Sequence, residues 1–212
     1  MKKRFLSVLT ALALCLTLLP TASLAEGTAP SSVTLAGTPL ESGKSYIPKQ
    51  GGGIKETTDL PDTDYLTYNN GTLTVFGTVE VRCGNSAGLS FYGGTLTLAG
   101  DGALTIEASD NNSAVSGSPQ STLTTADEFS GHIILESANA PAVQNVVLDL
   151  TTGGNIRISS AKNSAVYTPN NPVTLKGNTV IIQTTADPAV SVSTVAAPSL
   201  NVTAGRDVTI TG

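Results

Sequence analysis

The sequence has no tryptophan, one histidine, one methionine and two cysteines in 212 residues. Aromatic residues make up 4% and charged residues 13%, the latter about half the usual share of a soluble domain. Each scarcity excludes something. Coiled coils and helix bundles need Glu, Lys, Arg and Leu in bulk. Two cysteines cannot build a disulfide scaffold. A net charge of −5 has the wrong sign for a nucleic-acid binder. The missing tryptophan removes the side chain best suited to stacking on a sugar ring. Thr, Ser, Asn and 21 Gly take the place of the absent charges. Such a composition resembles chains that never build a core. The patterning shows otherwise.

The first 25 residues read as a secretory signal peptide. Lys2, Lys3 and Arg4 form a positive start, Phe5 to Leu19 is an apolar run, and Ser23-Leu24-Ala25 offers a small-residue cleavage site. The run is shorter than the roughly 20 residues of a membrane span. Cleavage after Ala25 removes three basic residues and no acidic one, taking the net charge from −5 to −8. It also removes Cys15, leaving Cys83 as the only thiol. The expected location is secreted or extracellular, with cell-surface attachment as an option and no transmembrane span in the mature chain.

From Leu73 onward apolar and polar residues alternate with period 2, the pattern of half-buried strands. The pattern recurs. The anchors Val81, Ile106, Leu135, Ile158, Ile182 and Ile210 are spaced by 25, 29, 23, 24 and 28 residues. After most of them comes a small residue and then an apolar one, as in Gly88-Leu89, Ala114-Val115, Ala142-Val143 and Ala165-Val166. A further strand precedes most anchors, at Leu73, Leu96, Leu148, Val173 and Leu200. Self-similarity at about 20–30 residues marks a solenoid. No stretch after the signal peptide shows a capped helical period, and a β-propeller blade needs about 40–45 residues.

The predicted fold is therefore all-β: a right-handed parallel β-helix of five to six coils with an irregular N-terminal cap. The alternative is an antiparallel β-sandwich, because alternation does not reveal pairing direction. The expected organisation is a signal peptide over 1–25, a leader and cap over 26–68, and repeats over 69–212. Val33-Thr34-Leu35 and Tyr65-Leu66-Thr67 are the expected cap strands. Ser116 to Ser130 breaks the period and is expected to be a loop insertion on one face. The repeats stop at Ile210-Thr211-Gly212, inside a strand pair. That predicts further domains downstream or a partner capping the last coil, since a bare strand edge invites aggregation.

Catalytic signals are thin. His132 has no neighbours that mark a triad and reads as structural or exposed. Cys83 follows a strand and reads as a buried ladder residue. Gly51-Gly52-Gly53 lacks the Lys-Ser/Thr of a phosphate loop and reads as a flexible turn. Glu80 and Glu107 are expected at the same position in stacked coils, where neighbouring strands about 4.8 Å apart would bring their carboxylates together. With Asp101 and Asp110, which lie in turns, they are the candidate ligands for Ca²⁺, an ion that takes oxygen donors. Tyr92, Tyr167, Tyr65 and Tyr68 are the candidate glycan-stacking residues, since aromatic faces suit sugars. Phe91 is expected in the core.

The unit Gly94-Thr95-Leu96-Thr97-Leu98-Ala99-Gly100-Asp101-Gly102-Ala103-Leu104-Thr105-Ile106, with the Ala-Val after its next turn, resembles the repeats of secreted clostridial β-helix surface proteins. Those are described as carbohydrate-binding-domain or adhesin-like proteins. The resemblance covers about Asn69 to Gly212 and carries no functional residue over. It implies a bacterial, non-catalytic surface module whose partner is a polysaccharide or a host or cell-surface glycan, or a spacer within a larger protein. The alternative function is a calcium-dependent polysaccharide lyase or glycoside hydrolase of β-helix fold. It would use a basic residue such as Lys162, Lys176 or Arg157. The Asn-Thr-Asp, Asp-Asp and Gly-His-Gly motifs of β-helical polygalacturonases are missing.

Overall fold

Alternating side chains on short strands put the apolar residues on one side of each strand, and a parallel stack buries the rows they form against one another. The computed structural model describes residues 27–185, 195–197 and 199–212. The signal-peptide reading and Ala189-Val190, the small-then-apolar pair that follows the anchor Ile182 in the sequence, lie outside the described residues. No helix among the described residues is long and apolar enough to cross a membrane.

The chain opens with β1 (Ser32–Leu35), β2 (Thr38–Pro39), β3 (Lys44–Pro48), β4 (Ile54–Thr57) and β5 (Tyr65–Asn69). The first coil is β6 (Thr72–Phe76), β7 (Thr78–Cys83) and β8 (Leu89–Tyr92). The second is β9 (Thr95–Gly100), β10 (Ala103–Ala108) and β11 (Val115–Gly117). The third is β12 (Thr122–Thr125), β13 (Ile133–Ser137) and β14 (Val143–Gln144). The fourth is β15 (Val147–Thr151), β16 (Ile156–Ser160) and β17 (Val166–Tyr167). In the fifth, β18 (Val173–Thr184) runs through a corner and β19 (Val195–Ala196) follows. β20 (Leu200–Thr211) pairs with the whole length of β18.

All pairing between coils is parallel. The chain is thus a parallel β-helix with three faces. On the first face Leu96, Leu123, Leu148, Val173 and Leu200 stack in register. On the second, Val81, Ile106, Leu135, Ile158, Ile182 and Ile210 stack. On the third, Leu89, Val115, Val143, Val166 and Val195 stack. The rows from the first four coils are buried to 1% exposure or less. Val208 and Ile210 of β20 stay 49% and 44% exposed.

Two sequence expectations change. The segment expected as an insertion is a regular rung: β12 stacks between β9 and β15, with Leu123 in the apolar row. It was hard to see because Thr122-Leu123-Thr124-Thr125 carries a single apolar residue. The long spacing comes instead from the corner before β13, where Phe129 fills the core. The matching Gly-Thr-Leu-Thr starts of the first two units are also out of step, because Leu73 pairs with Leu98 rather than Leu96. The two-residue shift keeps every side chain on its own face.

The corner between the first and second faces carries a glycine from each of the first five coils: Gly77, Gly102, Gly131, Gly154 and Gly177. A Cβ on Gly102 would lie 2.6 Å from the Gly77 carbonyl oxygen. On Gly131 and Gly154 it would press still closer on the carbonyl of the corner glycine before it. The backbones approach too tightly there for any side chain.

The cap is antiparallel. β1 pairs with β8 and closes the third face, while β5 pairs with β6 and, through β3 and β4, extends the first. The β7 edge is covered by turns instead. Asp64 Oδ1 accepts the Thr78 N–H at 2.7 Å, and the Gly53 N–H donates to the Arg82 carbonyl at 2.7 Å. The triple glycine is therefore a docking turn. All three glycines have positive φ, and a Cβ on Gly52 would sit 2.7 Å from the Arg82 oxygen.

Candidate binding groove

In a strand buried on one face, the residue after each inward anchor points out. On the second face those residues are Arg82, Glu107, Glu136, Ser159 and Gln183, one from each of five stacked strands in register. They line a shallow groove of about 570 Å³, joined by Arg157 from the neighbouring outward row. Behind them the small residues Ala108, Ser137 and Ser160 form the near wall. Those serines are fixed: Ser137 Oγ donates to the Asn112 carbonyl and Ser160 Oγ to the Ala140 carbonyl, each at 2.8 Å. Gly51 of the docking turn stands at one end and Gln183 with Thr185 at the other.

The charges in the groove satisfy one another. The Arg82 guanidinium pairs with Glu80 and, through Nε at 3.2 Å, with Glu107. The hydrogen bond that Arg82 donates to Glu80, then the charges of Glu80 and Glu107, raise Arg82 above its ordinary value. Arg157 Nε lies 3.0 Å from Glu136 Oε1, which also accepts from the Ser159 hydroxyl at 3.2 Å. Cys83, at the groove's edge, is buried and free. Burial pushes its thiol up to about 11, so it stays protonated at neutral pH and is no nucleophile.

Several candidate residues land elsewhere. Glu80 and Glu107 do not share a row: Glu80 is opposite Thr105, and Glu107 is opposite Arg82 and Glu136. The reason is visible in the sequence, since Glu80 lies between two anchors while Glu107 follows one. Arg82 joins the two acids where a cation was expected. Asp101 and Asp110 sit exposed beyond opposite ends of β10, a strand that alone spans roughly 17 Å, and cannot share an ion. Among the described residues no group of three or more His, Cys, Asp or Glu is placed to hold a metal.

Tyr68 is buried, and its hydroxyl accepts the Gly71 N–H at 3.2 Å, so it offers no face to a sugar. Tyr65 is half-buried and stacks on Phe76, with centroids 4.4 Å apart. Tyr92 and Tyr167 are 55% and 41% exposed, but both belong to strands of the third face, away from the groove. Phe91 is in the core. His132 is exposed, and its Nδ1 accepts the Asn155 N–H at 3.0 Å. Arg157 lines the groove, whereas Lys176 projects from the first face and Lys162 is exposed in a turn.

Arg82, Glu136, Ser159 and Gln183 are the residues of the row that the sequence reading missed. Their signal was present: each follows an anchor by one position. The chain matches no protein-family model, no curated protein and no solved structure.

Proposed function

We propose that the chain is a secreted or cell-surface, non-catalytic β-helix module, adhesin-like or carbohydrate-binding, that holds a glycan in the second-face groove. The observation that supports this most is the regular row of polar side chains. Arg82, Glu107, Glu136, Ser159 and Gln183 recur once per strand, at steps of about 4.8 Å. That step is close to the length of one sugar unit in an extended polysaccharide. Carboxylates, guanidinium groups and amides hydrogen-bond vicinal hydroxyls in pairs. The resemblance to clostridial surface proteins points the same way, as does the apolar leader that suggests export. A glycan array probed with and without a chelator tests the reading. Binding that survives chelation supports it, because the Glu80 and Glu107 carboxylates already have Arg82 as their cation. Absence of binding to any glycan favours the spacer role.

One observation favours the enzyme as a second reading. Glu107 and Glu136 are directly paired on adjacent strands, which sets two carboxylates side by side on one face, and a glycosidase works with two carboxyl groups. Arg157 stands beside them. Release of reducing ends from a glycan that binds, or new ultraviolet absorbance on polygalacturonate, lost on Arg157→Ala, would establish it.

A further inference from the structure

The charge balance of the groove narrows the ligand class. Glu80, Glu107 and Glu136 are each paired with Arg82 or Arg157, and Glu136 also holds the Ser159 hydroxyl. No member of the row presents an unpartnered charge. A uronate polymer would have to displace a protein carboxylate from a guanidinium. It would exchange one exposed ion pair for another, which gains little. The displaced glutamate would then face the incoming acid, and like charges repel. A polycation would meet the same problem at the arginines. Hydroxyl groups meet neither: they use the carboxylate lone pairs and guanidinium N–H groups that the ion pairs leave over.

We propose, on the basis of the glycan-binding reading above, that the groove selects an uncharged polysaccharide and holds a stretch of about four units along the solenoid axis. The length follows from the rungs. Five strands from β7 to β18 contribute to the row, giving four steps and roughly 19 Å. The direction follows as well. The row runs across the strands, so a linear polymer lies along the axis, with Gly51 at one end and Gln183 at the other.

The test is titration calorimetry of the exported chain against neutral oligosaccharides of two to six units, oligogalacturonates and glucosamine oligomers, at low and high salt. The expected result is affinity for a neutral series that rises to about four units, then levels, and is insensitive to salt. Glu136→Gln keeps affinity within about threefold, because an amide still bonds hydroxyls, whereas Glu136→Ala loses about tenfold. Gln183→Ala, at the last rung, levels the series one unit earlier. Each variant is used only if its thermal melt matches the parent. Tightest binding to either charged series, falling as salt rises, overturns the uncharged class while leaving glycan binding intact. Binding of no saccharide of any charge overturns the glycan-binding reading itself.

Discussion

At the scale of single residues, environment decides which reactive groups have anything to do. Cys83 is 3% exposed, and burial raises its thiol to about 11. At pH 8 it should react with a thiol reagent far more slowly than the unfolded chain does. Labelling of the Cys15→Ser protein with and without denaturant measures this, and equal rates would contradict the burial. The linkage has a definite sign. A thiol whose folded pKa lies above its unfolded value costs nothing below about pH 9. It subtracts stability as the pH rises from there toward about 11. Cys83→Ala should therefore flatten the alkaline fall in melting temperature. Cys83 was legible in the sequence because its place after an anchor strand implies burial. Tyr68 was not: its buried hydroxyl bonds the Gly71 N–H, and a tyrosine's alternation within a strand does not say which face is covered until the cap is placed.

At the scale of elements, the rungs explain what was readable. The apolar rows of the second face came directly from period and alternation, because a buried row requires an apolar residue in every coil. The outward row has no such requirement, so Arg82, Glu107, Glu136, Ser159 and Gln183 share no chemistry that would announce them. Their common feature is register alone. The corner glycines are a similar case. Nothing in the spacing of apolar residues singles out Gly131 and Gly154, yet a Cβ on either would press into the carbonyl of the coil before. Gly131→Ala or Gly154→Ala should cost about 1–3 kcal/mol by overpacking, read as a lower denaturation midpoint. An unchanged midpoint would show that the corner can relax. Gly52 is the matching position in the cap, where positive φ and the Arg82 carbonyl both act against a side chain. Gly52→Ala should detach the docking turn from β7. Faster hydrogen exchange at the Gly53 amide, with β13 and β16 unchanged, is the expected sign.

At the scale of the whole molecule, stability comes from contacts between neighbouring coils. The three faces use different strand lengths, and the second stacks a further buried row, Val79, Leu104, Ile133, Ile156 and Val180, beside the anchors; the antiparallel cap protects β6 and β8 at one end. Scarce charge gains a reason here. Most outward positions on the rungs need only to be solvated, and Thr, Ser and Asn do this without repelling their copies one strand away. On the second face charge is paired, along the row in Arg82 with Glu107 and between rows in Arg157 with Glu136. The pairing concentrates the groove's hydrogen-bonding groups on one face and leaves the exposed tyrosines on another.

That separation allows the most direct test. On a glycan identified by array binding, the affinities of Glu136→Ala and Gln183→Ala should be measured beside those of Tyr92→Ala and Tyr167→Ala. The account predicts a loss of about tenfold for Glu136→Ala, a smaller loss for Gln183→Ala, and no change for either tyrosine variant. Loss confined to the tyrosine variants would contradict it and move the site to the third face.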